Sequence, residues 1–444
     1  MLWFIYNLLF CAGYLLMLPR FIWRMCRRGG YARNFAQRLA VYSKKTLNLV
    51  RERERIWIHA VSVGEVYVAL NFISEFRRLA AEKAFILTTT TSTGYKVAEN
   101  KIDKRDVLLY FPVDLPGVPK KALKRLRPQA LVLTEGEVWP NLIRKAKDYG
   151  IPVALINGRI SGSSYRGYHA LRLFFRRIFA SFDLALMQTE ADSRRILELG
   201  AGKAAVRTAG TAKYDVAAGG AAGADKALGV LRQAGLNPEA SVIVGGSTWP
   251  GEEAALIEVY RALKGSFPDV GLVLVPRHAE RSESVLREAE KLGLICVRRS
   301  FLRPGELSQT SRGATPDILL VDTTGELQDF YACASVVFVG KSLTASGGQN
   351  IMEPAVLGKP IVTGPHLENF PVVSSDFLSA KAIVQARDTG ELENAIRSLL
   401  GDAVKRTEYG RRAREIVESK RGVSRICAEA VNRLITARSP SARG

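Results

Sequence analysis

Cysteine is scarce and scattered in this chain. Cys11, Cys26, Cys296, Cys333 and Cys427 form no CxxC pair and no repeated spacing, which gives no basis for a disulfide framework or a cysteine-based zinc site. His59, His169, His278 and His366 are equally dispersed, so no metal site is expected. Walker A, GxSxG and HExxH signatures are missing, which removes the P-loop, hydrolase-elbow and zincin readings. Long low-complexity tracts are missing too, and 47% hydrophobic against 24% charged residues is the balance of a folded chain. At 444 residues it exceeds what one core usually holds, so two domains are expected.

Charged side chains are absent before Arg20. The stretch MLWFIYNLLFCAGYLLML is apolar all round and, at about 1.5 Å per helical residue, just long enough for a ~30 Å hydrocarbon layer. Basic residues before the apolar core and a small-residue cleavage site after it are both lacking, so the expectation is an uncleaved anchor and not a secretory leader; the sequence leaves open whether it spans the bilayer or lies in its interface. Acidic residues are then rare. Arg20, Arg24, Arg27, Arg28, Arg33, Arg38, Lys44, Lys45, Arg51, Arg53 and Arg55 face only Glu52 and Glu54 between Pro19 and Ile56. By the positive-inside rule this collar places the remainder in the cytoplasm, with Trp3, Tyr6, Tyr14 and Trp23 at interfacial levels. The formal charge of +21 favours phosphate-rich partners. Its clustering beside an anchor points to an anionic membrane surface rather than nucleic acid.

From Ile56 onward short apolar runs (IWIHAV, AFILTTT, ALVLTE, PVALING, LALMQT) alternate with helical patterns, the grammar of a parallel sheet covered on both faces. A Gly/Ala-rich piece around Ala217 to Gly223 interrupts it, and the same grammar restarts with SVIVGGST, GLVLVPR, DILLVD, VVFVG and KPIVTG. The expected organisation is an anchor and basic segment over 1–50, a first α/β domain over 51–216, a linker over 217–235, a second α/β domain over 236–410, and a C-terminal helix within 411–444 that returns to the first domain. Ligands of such sheets bind beyond the carboxyl ends of the strands, here in a cleft between the domains.

Polar residues gather at those strand ends. Gly347 and Gly348 permit a tight turn, after which Gln349 and Asn350 are expected to start a helix with free N–H groups for a phosphate. Glu353, one turn in, suits ribose hydroxyls. Arg277 and His278 end one strand of the second domain; Gly245 to Thr248 end another and offer the hydroxyls of Ser247 and Thr248. In the first domain Glu135 and Glu137 follow a strand, as do Asn157, Arg159, Ser161 and Ser163, while Lys213 and Asp215 close the domain. Glu65 sits where a buried strand becomes a helix in WIHAVSVGEV, an unusual place for a carboxylate.

Taken in order, SVGE at Ser62, TTTTSTG at Thr88, EGEVWPNLI at Glu135, NGRISGSS at Asn157, GTAKYD at Gly210, GGSTWPGEE at Gly245, PRH at Pro276 and GGQNIMEPAVLGKP at Gly347 resemble the 3-deoxy-D-manno-oct-2-ulosonic acid (Kdo) transferases of lipopolysaccharide synthesis. The resemblance implies a GT-B fold, two Rossmann-like domains facing a cleft. It implies an inverting transfer of Kdo from CMP-Kdo to a lipid A precursor, lipid IVA, at the cytoplasmic face of a bacterial inner membrane, with no metal and no cofactor besides the donor substrate. By the same resemblance Glu65, Glu137 and Lys213 are catalytic: Glu65 is the general base, Glu137 orients the acceptor or assists the base, and Lys213, with Arg159, meets acceptor or donor anionic groups. Ser62, Thr93 and Ser161 belong to the acceptor side. Ser247, Thr248, Arg277, Gly348, Gln349 and Asn350 hold the donor and its departing phosphate, and His278 and Glu353 fix the cytidine. The chain departs from the family's more usual residues at Gly158, Thr211, Trp249 and Gln349; Gln349 can donate a hydrogen bond but carries no charge.

Two other classes stay open on the residues alone. One is a membrane-surface GT-B transferase using a UDP-sugar, which fold does not separate from a Kdo transferase. The other is a basic, membrane-anchored binding protein without catalysis.

Overall fold

The computed structural model describes residues 2–28, 34–216, 223–302 and 316–438. Arg33, the side chains of Arg24, Arg27 and Arg28, and residues 217–222 of the expected linker lie outside the described residues. The chain divides into two compact units, 1–216 with 421–444, and 217–420.

In the first unit seven parallel strands, β1 (Arg55–His59), β2 (Ala84–Thr89), β3 (Val107–Tyr110), β4 (Ala130–Thr134), β5 (Val153–Gly158), β6 (Leu184–Met187) and β7 (Val206–Thr208), pair in the order β3-β2-β1-β4-β5-β6-β7. β1, β2, β4, β5 and β6 are buried along their whole length, because helices cover both faces of the sheet. Trp57, Leu131 and Leu155 pack into one face and Ile58, Val132 and Ala154 into the other. The second face is completed by the chain's end. Val423, Cys427 and Val431 of the helix Val423–Thr436 join Phe72 and Phe76 of the helix Val63–Leu79. Asp215 ties this return in place, its carboxylate accepting from the backbone N–H of Gly422 and of Ser424, both at 2.6 Å.

The second unit repeats the plan with β8 (Val242–Thr248), β9 (Gly271–Pro276), β10 (Cys296–Arg298), β11 (Ile318–Leu320), β12 (Val336–Val339), β13 (Ile361–Thr363) and β14 (Ile383–Gln385), in the order β10-β11-β9-β8-β12-β13-β14. In both sheets the chain direction of successive additions reverses beside the first strand, between β1 and β4 and between β8 and β12. Such switch points open a crevice at the strand ends.

Several local expectations change. The stretch 217–235 is not all linker: Ala224–Gln233 is a helix with Ala227, Val230 and Leu231 buried in the second unit. Between β5 and β6 the chain forms two helices, Gly162–Ala170 and Arg172–Phe179, separated at Leu171. The helix expected from Gln349 begins at Met352 and spans only Met352–Val356, because Gly347 and Gly348 take φ of 123° and 71° and Asn350 turns back to accept from the N–H of Met352. Two members of the basic collar are interior. Arg38 donates to the carbonyl of Thr90 at 2.7 Å, and Arg55 donates to the carbonyls of Arg105 and Leu49. Arg20, Lys44, Lys45, Arg51 and Arg53 remain exposed.

Candidate active site

Glu65 lies at the switch point of the first sheet, in the first turn of the helix that follows β1. Ser62 caps that helix, accepting from Glu65 N–H, while the Glu65 carboxylate reaches back to the N–H of Ser62 at 3.3 Å, a reciprocal capping box. Val61 N–H at 3.0 Å, Ser62 Oγ at 2.9 Å and Thr134 Oγ1 at 2.9 Å also donate to it. The side chain is therefore fixed, yet Glu65 retains 7% exposure. Thr89 and Thr91 brace the preceding loop by donating to the carbonyl of Val61.

Two further carboxylates come to the same place from the end of β4. Glu135 holds a left-handed backbone at φ 51°, which a non-glycine residue adopts only at a cost of about 1–3 kcal/mol. Its Oε1 is 3.9 Å from Lys213 Nζ and accepts from Asn157 Nδ2 at 3.3 Å. Burial raises its carboxyl above the ordinary range; Lys213 opposes the shift, the charge of Glu65 adds to it, and Arg159 opposes it. Glu137 accepts from Trp139 Nε1 at 2.8 Å. Burial first, and then the charge of Glu65, push its carboxyl up to about 7. Facing it at 3.8 Å is Nε2 of His59, an imidazole stacked 3.6 Å from Phe111 and pushed down to about 3 by complete burial. Nδ1 of that ring lies 3.1 Å from both the carbonyl oxygen and Oγ1 of Thr88.

Glu65, Glu137, Lys213 and Arg159 thus surround Glu135. Thr93 donates to Thr91 Oγ1 at 3.5 Å, and Ser161 caps the helix Gly162–Ala170. His59, Thr134 and Asn157 complete the cluster. Their contribution depends on strand register, which brings β1, β4 and β5 side by side from distant parts of the chain.

The switch point of the second sheet gathers the remaining candidates. Ser247, at φ 53°, ends β8, and buried Thr248 donates to Glu253, which Arg281 also contacts. Arg277 and His278 follow β9 and are exposed; the His278 ring meets Trp249 edge-on at 5.8 Å. Lys341, again left-handed at φ 57°, stands 4.7 Å over the other ring of that pair, Trp249. Gly348 has no alternative, since a Cβ there would lie 2.7 Å from Leu367 Cδ2 and 3.0 Å from the carbonyl of His366. Asn350 donates to Glu353 at 3.0 Å; burial raises the Glu353 carboxyl while that bond and the charge of Arg277 hold it back. The unforeseen organiser is Glu252. Fully buried, it accepts from the N–H groups of Trp249, Lys341, Ser342 and Leu343 and so ties the loop after β8 to the loop after β12. Among the described residues no group of three His, Cys, Asp or Glu is arranged to hold a metal.

A family model described as 3-Deoxy-D-manno-octulosonic-acid transferase (kdotransferase) matches residues 33–216. The chain is 33% identical over 384 residues to the 3-deoxy-D-manno-octulosonic acid transferase of Bordetella pertussis, covering 85% of this chain and 86% of that protein. It is 31% identical to a bifunctional glycosyltransferase/methyltransferase of Fusobacterium nucleatum, of which it covers 53%. Among solved structures, UDP-GlcNAc 2-epimerase from Neisseria meningitidis superimposes with a TM-score of 0.58 at 12% identity, covering 85% of this chain and 100% of that one. That likeness is one of fold, the GT-B type.

Proposed function

Since the chain belongs to the Kdo transferase family of glycosyltransferases, we propose that it transfers Kdo from CMP-Kdo to a lipid A precursor, lipid IVA, with inversion at the anomeric carbon. The observation that carries this reading is the carboxylate cluster at the first switch point, where a fixed Glu65 stands beside Glu137 and the Glu135–Lys213 pair. Glu65 takes the proton of the acceptor hydroxyl as its oxygen bonds to the anomeric carbon of Kdo, and the CMP phosphate departs with the electron pair of the broken bond. General-base action of this kind is worth roughly 10²–10⁴ in rate. Glu137 holds a proton near neutral pH more readily than an ordinary carboxylate, which suits it to orienting the acceptor through a hydrogen bond. Lys213 joins Glu65 and Glu137 in the catalytic set by meeting acceptor or donor anionic groups, and Arg159, Ser62, Thr93 and Ser161 serve the acceptor side.

In the second unit Ser247, Thr248, Arg277, Gly348, Gln349 and Asn350 receive the phosphate, and His278 and Glu353 the cytidine. Stabilising the leaving phosphate with fixed donors is electrostatic catalysis. The apolar N-terminal helix and exposed basic residues attach the chain to the cytoplasmic face of a bacterial inner membrane, where each basic group gains about 1 kcal/mol near anionic lipid. The donor is the only small molecule the reaction requires.

Incubation with CMP-Kdo and a tetraacylated lipid A precursor, followed by mass spectrometry, tests the reading. Stepwise mass increments of Kdo on the acceptor are expected, and their number counts the transfers. Absence of any increment, with turnover of a UDP-sugar in its place, would replace the donor assignment.

A further inference from the structure

The N-terminal helix, Leu2–Arg28, carries no charge before Arg20, but the structure divides that apolar stretch into two faces. Trp3, Tyr6, Asn7, Phe10, Tyr14 and Leu18 are half-buried, following the three-and-four spacing of a single helical stripe, whereas Phe4, Leu8, Leu9, Leu15, Leu16 and Met17 are exposed, Leu16 to 81%. The buried stripe has specific partners in the first unit. Tyr6 Oη donates to Asp114 Oδ2 at 3.0 Å, and the same buried carboxylate receives the N–H groups of Asn141 and Leu142 at the start of the helix Pro140–Asp148. Asn141 Nδ2 donates to Asn7 Oδ1 at 2.7 Å. Trp3 meets Phe174 edge-on at 5.0 Å and lies under the guanidinium of Arg144 at 4.5 Å, and Tyr6 stacks on Phe174 at 5.1 Å.

These contacts do not fit a helix that crosses the bilayer. Crossing would carry the Tyr6 and Asn7 end away from a cytoplasmic unit and leave an amide without its partner in or beyond hydrocarbon, an unfavourable exchange. With the stripe held as far as Leu18, the roughly ten residues left to Arg28 reach about 15 Å, half of a ~30 Å hydrocarbon core. The adjoining helix Arg172–Phe179 presents the next surface: Leu171 and Leu173 are exposed to 61% and 75%, flanked by exposed Arg172, Arg176 and Arg177. Apolar side chains rimmed by arginine match an anionic lipid surface.

We infer that the N-terminal helix lies in the plane of the membrane surface, clamped by one face to the first unit, with its opposite face and Leu171–Leu173 in the lipid of the cytoplasmic leaflet. This rests on the membrane attachment proposed above and assigns its geometry. Both ends of the helix then stay on the cytoplasmic side, and the carboxylate cluster of the same unit is held to the leaflet by a surface rather than by a tether.

The full chain, bound to vesicles of phosphatidylethanolamine and phosphatidylglycerol, tests this through oxidative disulfide formation read by peptide mass spectrometry. The pair Asn7→Cys with Asn141→Cys is expected to cross-link on the membrane, and Leu9→Cys with Asn141→Cys, which places the thiol on the opposite helix face, is expected to lose the cross-link. Should the first pair disturb folding, Trp3→Cys with Arg144→Cys, joined by a short bis-maleimide because those side chains meet only at their far ends, reports the same contact. Vesicle-bound protein with no cross-link in either docking pair would overturn the in-plane geometry while leaving membrane attachment standing. Failure to sediment with the vesicles would overturn both.

Discussion

At the scale of single residues, Glu65 has two roles that one substitution separates. As a capping group it is worth about 1 kcal/mol to its helix, and as a base it is worth orders of magnitude in rate. Glu65→Gln keeps the shape and an accepting oxygen; the expected outcome is a loss of about 10²–10⁴ in turnover with a melting temperature within a few degrees of wild type, as read by calorimetry beside the transfer assay. Near-native turnover would reduce Glu65 to a cap. Glu137 carries a pH signature. Its folded carboxyl titrates at about 7 against an ordinary value of 4.5, so between those limits the folded state holds a proton that the unfolded state has released, and stability falls as pH rises through that window. Glu137→Gln removes the liability. Its stability relative to wild type is expected to be unchanged below pH 4.5 and to grow up to pH 7 by as much as about 3 kcal/mol, measured by chemical denaturation.

At the scale of elements, the loops after β8 and β12 act as one piece because a single buried carboxylate receives donors from both. Glu252→Ala leaves four N–H groups, that of buried Ser342 among them, without this acceptor, a change of about 3–5 kcal/mol. A lowered melting temperature and weakened CMP binding by calorimetry are expected together, since Ser247, Lys341 and Gly348 share that support. The left-handed residues make the same point. Glu135, Ser247 and Lys341 lie at or just past the ends of β4, β8 and β12, which flank the two switch points, and Asn157 lies near the end of β5 beside β4; there backbone strain aims side chains and N–H groups beyond the sheet.

At the scale of the whole molecule, the two units differ in how their cores close. Residues 217–420 hold a complete sheet with its covering helices, whereas 1–216 leave the Phe72–Phe76 face bare until Val423–Thr436 returns. A fragment of 217–420 is therefore expected to unfold cooperatively on its own. A fragment ending at 216 is expected to aggregate, and adding residues 421–438 as a separate peptide should restore a cooperative transition by circular dichroism. Cooperative unfolding of 1–216 without the peptide would show that this face needs no cover.

The alternation of apolar runs and helical patterns by itself determined two parallel α/β sheets, because strands buried on both faces must be nearly continuous in Val, Ile and Leu. Four strands escaped that logic: β3, β7, β10 and β14, the edges of the two sheets. They are three or four residues long, and none is buried along its whole length, so they leave little periodic signal. Ordered motifs likewise marked Glu65, Glu137, Lys213, Arg277 and the Gly347–Glu353 turn as candidates. What only the tertiary structure decided was which of them meet and in what electrostatic state. Strand order sets β1 beside β4 across more than seventy residues of chain, placing His59 and Thr134 against the carboxylates. Burial then shifts Glu137 while four donors fix Glu65. Composition describes the N-terminal helix as apolar on every side; packing gives it a protein face and a lipid face, because Asp114 and Asn141 supply the partners that Tyr6 and Asn7 would lack in hydrocarbon.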